Sequence, residues 1–127
     1  MTPEEWLAHH FERCWPWLEA SLAKQPIPTH DKAHVWDALM SGRALLWPTE
    51  TSATVTEETT YPNGNRVLFA WLAGGDLKAL QRTAECLEGV AADTGCVAFA
   101  MVVMRDGFGR VFPDYEKAGM TLVKDLR

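Results

Sequence analysis

Two segments of this chain are apolar on both faces, with one amphipathic helix pattern between them. That arrangement constrains the fold more than anything else in the sequence. Residues Arg66–Leu72 place Val67, Phe69 and Trp71 on one side and Leu68, Ala70 and Leu72 on the other. A strand without a wet face belongs in the interior of a sheet. Ala73-Gly74-Gly75-Asp76 breaks the pattern. Leu77, Leu80, Ala84, Leu87 and Ala91 then recur at helical spacing, ended by Gly95. Val97–Met104 is again apolar throughout. Strand, helix and strand within residues 66–104 read as one βαβ unit, two parallel strands joined by a right-handed crossover.

The flanking segments supply antiparallel partners and further helices. Thr2-Pro3-Glu4-Glu5 matches a capping box with proline at the first helical position, and Leu7, Phe11, Cys14, Leu18 and Leu22 follow at helical spacing. Pro16 lies inside that pattern and is expected to kink or divide the helix near Trp15. Gln25-Pro26-Ile27-Pro28 is a linker. A second helix is expected from Thr29 to Ser41, with Val35, Ala38 and Leu39 inward and Gly42 as its stop. Arg43–Trp47 reads as a short strand closed by Pro48, and Ala53–Tyr61 as a half-exposed one with Thr and Glu on its wet face. Pro62-Asn63-Gly64-Asn65 signals a hairpin. Met120–Leu126 offers a last strand. The expected fold is α+β: a mixed, mostly antiparallel sheet of roughly five or six strands, one parallel junction, and helices on both faces.

Composition narrows the functional classes. The 127 residues fit one domain, 1–127, whose first 28 residues form a tryptophan-rich helical extension. Hydrophobic residues at 47% and charged residues at 23% exclude a disordered tail or a collagen. Twelve Lys+Arg against 17 Asp+Glu leave a net charge of −5, which argues against nucleic acid or an anionic membrane as partner. Cys14, Cys86 and Cys96 are odd in number and lack C-x-x-C spacing, so they read as small buried hydrophobes in a reducing compartment. With no bilayer-length apolar run and no signal-peptide start, the expected location is the cytoplasm.

Several residues could carry chemistry. Ligands of open sheets sit beyond the carboxyl ends of parallel strands, here Leu72-Ala73-Gly74-Gly75-Asp76. Two glycines permit close backbone approach, and a helix start favours an anion. Gly-Gly-Asp also reads as an ordinary turn plus N-cap, and an Asp76 cap would occupy N–H groups that a phosphate needs. His30 and His34 are four residues apart with Asp31 and Asp37 nearby, but no third ligand matches, so no metal is expected. His9 and His10 point to different faces of their helix. Glu57 and Glu58 read as a wet strand face. Arg105 and Arg110 could meet a phosphate or pair with Asp106 and Asp114. Trp6, Trp15 and Trp17 cluster on the first helix, where the Leu7, Phe11 and Leu18 stripe already faces inward. They are candidates for a partner surface.

From residue 30 onward the chain resembles the GNAT superfamily, the N-acetyltransferases that use acetyl-CoA. The resemblance rests on element order and on Tyr115-Glu116-Lys117-Ala118-Gly119-Met120, which is similar to the Tyr-Glu-Lys-x-Gly-Phe ending of the family's penultimate helix. Gly42-Arg43-Ala44-Leu45-Leu46-Trp47 and Asp106-Gly107-Phe108-Gly109-Arg110 look like short GNAT-like proteins of tailed phages and prophages. The resemblance implies Tyr115 as proton donor to the departing CoA thiolate. It implies Trp71 and Leu72 at a splayed strand end beside the pantetheine arm, and Gly74 and Gly75 as a pyrophosphate cradle, with Ala73 between them.

The chain departs from the family pattern at several places. The Arg/Gln-x-x-Gly-x-Gly/Ala loop is missing, and Arg66–Leu72 carries no carboxylate that could act as base. Phe108 stands where an asparagine is common, Pro113 precedes Tyr115 by two residues, and the family's separate first strand is absent. Two functions are therefore expected. The preferred one is a phage or prophage GNAT-fold module with weakened or lost acyl transfer that binds itself or a virion protein, in the host cytoplasm or packaged in a particle. The other is a working N-acyltransferase that moves an acetyl group from acetyl-CoA to an amine.

Overall fold

The structure is a computed structural model that describes residues 1–102 and 108–127. Met104, Arg105, Asp106 and Gly107, on which part of the reading above rested, lie outside them. The elements run α1 (Pro3–Leu22), α2 (Lys32–Met40), β1 (Ala44–Pro48), β2 (Ser52–Thr60), β3 (Arg66–Gly75), α3 (Leu77–Asp93), β4 (Ala98–Met101) and α4 (Phe108–Val111). The sheet has the order β1-β2-β3-β4. β1, β2 and β3 are antiparallel neighbours, and β3 pairs β4 in parallel, Val67 opposite Ala98 through Ala70 opposite Met101. The α+β class and the single parallel junction thus stand as expected. No helix among the described residues is long and apolar enough to cross a membrane.

Two cores lie on opposite faces of the sheet. Phe11, Cys14 and Leu18 of α1 join Val35, Ala38 and Leu39 of α2 against Leu46, Ala53, Val55 and Leu72. Leu87 and Ala91 of α3 cover Leu68 on the other face, with Trp47 and Phe99 at the margin. Leu18, Leu72 and Leu87 are each at most 1% exposed. Burial of such a side chain contributes about 1.5–3 kcal/mol.

The hairpin forms where Asn-Gly predicts it: Gly64 takes φ +89°, and the Tyr61 and Gly64 amides donate to the Asn65 and Tyr61 carbonyls at 2.8 Å. α1 starts on the expected cap, with Thr2 Oγ1 accepting from the Glu5 amide at 3.1 Å. Pro16 does not divide the helix, contrary to expectation. Its missing N–H deprives the Glu12 carbonyl of a partner, but Glu12 and Pro16 both lie on the exposed face, where water serves instead. α2 starts later than expected, at Lys32, because the His34 ring accepts the Asp31 amide at 2.9 Å and fixes the helix start there.

Other expectations fail for packing reasons. The first five residues of β2, Ser52–Thr56, are buried rather than half-exposed, since α1 covers one face and α3 the other. Ala73-Gly74-Gly75 does not break the chain; it prolongs β3, paired with Ser52–Thr54. β4 is not interior. It is four residues long, half-exposed and at the edge of the sheet, with Val97 and Val102 exposed by 62% and 45%. Met120–Leu126 forms no strand, so the sheet has four strands rather than five or six among the described residues. Cys86 lies on the outer side of α3 and is exposed, unlike Cys14.

One contact ties α1 to the sheet. A Cβ on Gly74 would lie 2.5 Å from the Trp17 carbonyl oxygen. Both partners are backbone, so no flexible side chain can yield. Gly74→Ala is expected to destabilise the protein by about 1–3 kcal/mol. In urea denaturation this appears as a lower midpoint at unchanged slope; an unaltered midpoint would contradict so close an approach.

Candidate functional site

The site begins with one surplus residue. In the β2–β3 register Thr56 faces Ala70 and Val55 faces Leu72, which leaves Trp71 opposite nothing. This is a β-bulge, and it breaks the alternation expected along the strand. Leu68 faces α3, whereas Leu72, two positions beyond Ala70, is buried against α1 with Trp71 beside it. The last described β3–β4 bond runs from the Val102 amide to the Ala70 carbonyl at 3.0 Å, and β3 continues to Gly75 paired with β2.

A slot lies beside the end of the described β3–β4 pairing. Ala70, Trp71 and Ala73 of β3 form one wall and Phe99 and Met101 of β4 the other. Leu80, Ala84 and Leu87 of α3 close it behind, and Ser21, Lys24 and Gln25 from the end of α1 rim it in front. The enclosed volume of about 60 Å³ holds a few water molecules. The lining is mostly apolar, with Ser21, Lys24, Gln25 and Thr54 as its polar members. The Trp71 Nε1 proton is buried with no acceptor among the described residues. A buried donor left without a partner costs about 1–3 kcal/mol, so an acceptor entering here is favoured.

The other sequence candidates divide. Leu72, 1% exposed, belongs to the α1-side core. Gly74 and Gly75 meet their own chain, Gly74 at Trp17 and Gly75, with φ +108°, at Thr51 and Ser52. Asp76 caps α3, its Oδ2 accepting the Ala79 amide at 3.0 Å. Tyr115 does not line the slot. α4 ends at Val111, Pro113 follows, and the Tyr115 amide donates to the Phe112 carbonyl in a turn at 3.2 Å. The Tyr115 ring stacks edge-on against Phe99 (6.3 Å between centroids) and Phe112 (5.5 Å), both of which do line the slot.

The Tyr115 hydroxyl is buried, and no hydrogen bond of good geometry reaches it among the described residues. Burial, and then the negative Glu88 carboxylate beside it, push its pKa up to about 12. Of the tryptophans on α1, Trp15 and Trp17 pack partly against the core, with the Trp15 Nε1 donating to Glu19 at 3.3 Å. Trp6 stays 41% exposed, its ring 4.6 Å from His10. His34 is used in capping α2, and His30 lies 4.8 Å from the Trp71 ring. Among the described residues no cluster of three His, Cys, Asp or Glu could hold a metal. Glu58 pairs with Arg66 at 3.0 Å.

Sequence reasoning missed Ser21, Lys24 and Gln25. The helical stripe of α1 assigns them to no inward face, and only the fold shows that the end of α1 reaches the bulge. A bulge leaves no local signature in an uninterrupted apolar run such as Val67–Leu72.

A raised phenol makes a prediction about pH. The folded state holds the Tyr115 proton more tightly than the unfolded chain, so its contribution to stability is complete below pH 10. That contribution is lost as pH rises through about 12. Glu88→Gln should move the ionisation, followed by ultraviolet difference absorbance at alkaline pH, downward. An unmoved titration would place the Glu88 charge elsewhere.

No family model matches the sequence, and no curated protein matches it. Solved structures do match. A probable acetyltransferase superposes with a TM-score of 0.64 over 98% of this chain and 97% of its own, at 10% identity. The ribosomal-protein-alanine N-acetyltransferase of Brucella melitensis biovar Abortus 2308 gives 0.62 over 94% of each chain at 16% identity. Glucosamine-6-phosphate N-acetyltransferase of Arabidopsis thaliana gives 0.60 over 92% of each at 9% identity. At such identities the likeness concerns the fold: this chain has the fold of the GNAT acetyltransferases.

Proposed function

We propose that this protein is an acetyl-CoA-dependent N-acyltransferase whose acyl donor lies in the slot between β3 and β4 and whose acceptor is an amine. The observation that carries the reading is the bulge at Trp71, beside a mostly apolar slot lined by β3, β4 and α3 at the end of the described β3–β4 pairing. The residues present fit a thin pantetheine-like arm: apolar walls from Ala70, Phe99 and Met101, and the unpartnered Trp71 Nε1 as a donor. Acetyl-CoA supplies the activated acyl group as a thioester.

In the transfer, the amine nitrogen bonds to the thioester carbonyl carbon and the carbon–sulfur bond breaks. The nitrogen releases a proton to water, and the sulfur leaves as a thiolate that takes one up. The chain contributes mainly by holding the two reactants together, which is worth about 7–11 kcal/mol in favourable cases. A backbone N–H of the Leu72 region would polarise the carbonyl oxygen. Tyr115 is protonated at neutral pH, but its ring lies behind Phe99 and Phe112 and does not line the slot. Burial and the Glu88 charge also make it a weak acid, so water is the proton source for the thiolate.

A second reading is favoured by one feature, the start of α3. There the Asp76 carboxylate already takes the Ala79 amide, and both glycines are engaged with their own chain, so a pyrophosphate meets few free donors. In that reading the protein is a phage or prophage module without efficient acyl transfer. It acts in the host cytoplasm or in a particle, binding itself or a virion component through α1, where Trp6 is the exposed ring and Trp15 and Trp17 support it.

Calorimetry with acetyl-CoA separates the two. The first reading expects binding, and expects Met101→Trp, which fills the slot, to weaken it at least about tenfold, a loss of 1.4 kcal/mol. Absence of binding to a folded protein, with light scattering showing self-association that Trp6→Ala abolishes, would establish the second.

A further inference from the structure

We infer that Ser21, contributed by α1, is a hydrogen-bond donor to the thioester carbonyl in the slot, acting beside the backbone of β3. The inference rests on the acyl-transfer reading. Past the bulge, the Ala73 amide donates to Ser21 Oγ at 3.3 Å. That is longer than the usual 2.9–3.0 Å for such a bond. Ser21 is half-buried and lines the slot beside Trp71 and Ala73.

A hydroxyl carries one proton and two lone pairs. One lone pair of Ser21 is taken by Ala73, and among the described residues nothing accepts the Ser21 proton. The proton is therefore free to turn into the slot. A hydroxyl that accepts from an amide is polarised and becomes a better donor, so the pair Ala73 N–H to Ser21 O–H delivers a strengthened donor to one point. Charge develops on the carbonyl oxygen when the amine adds, and a donor fixed beforehand at that point stabilises it.

The placement follows from Gly74. Only a residue without Cβ lets the Trp17 carbonyl approach this part of β3, and that approach sets Ser21, one helical turn further along α1, over Ala73. The α1 helix therefore supplies a group to the slot as well as covering the core.

Infrared spectroscopy of acetyl-CoA labelled with carbon-13 at the carbonyl tests the donor directly, whatever the acceptor amine. Bound to the wild type, the carbonyl stretch should lie lower than when bound to Ser21→Ala or Ser21→Cys. Ser21→Thr, which keeps the hydroxyl, should restore it. In the free protein the Ala73 amide should exchange its proton faster in Ser21→Ala. Turnover with an amine should fall about 10²–10³-fold in Ser21→Ala, the usual effect of deleting one such donor, while acetyl-CoA affinity is kept. Bound acetyl-CoA with the same carbonyl frequency in all four proteins overturns the role of Ser21 and leaves acyl transfer standing. Failure of every folded variant and of the wild type to bind acetyl-CoA overturns both.

Discussion

The functional half of this molecule depends on one residue too many in β3. Trp71 has no partner on β2, and everything around the slot follows from accommodating it. Without the bulge, Leu72 would continue the face of Leu68 and Ala70 towards α3. With it, Leu72 enters the α1-side core, and the slot lies beside the end of the described β3–β4 pairing. The same displacement carries Ala73 and Gly74 under α1, where the missing Cβ of Gly74 allows backbone to meet backbone.

Charge and polarity around the opening are uneven. The end of α1 brings Lys24, Gln25 and Ser21 to its rim, whereas the start of α3 presents a carboxylate, Asp76, already bound to its own helix. The far side is aromatic: Phe99 and Phe112 separate the slot from the Tyr115 hydroxyl, which faces Glu88. Polar chemistry is thus concentrated on the α1 side of the sheet, and the α3 side is mainly a wall.

Much of the fold was legible because its signals are periodic. The stripe ending in Ala84, Leu87 and Ala91, the Asn63-Gly64 turn and the two-sided apolar run Val67–Leu72 each state a local geometry, and they assemble as expected, with β3 flanked on both sides. The site was less legible. A bulge is a matter of register between two strands, so nothing within Val67–Leu72 announces it. Ala73-Gly74-Gly75 resembles a turn in isolation and is held extended only because Ser52–Thr54 pairs with it. Ser21 and Lys24 look like solvated helix positions until the tertiary fold brings the end of α1 to β3. Met120–Leu126 has the composition of a strand, but composition supplies no neighbour.

The order of strands in the sheet is also their order along the chain. Each strand therefore docks against the segment synthesised just before it, and no connection has to pass over another. Residues 61–65 close the β2–β3 turn, whereas residues 76–97 must close the parallel crossover, so the entropic cost of pairing rises towards β4. The slot beside β3 and β4 thus lies at the seam whose connection is longest and costs the most chain entropy to close.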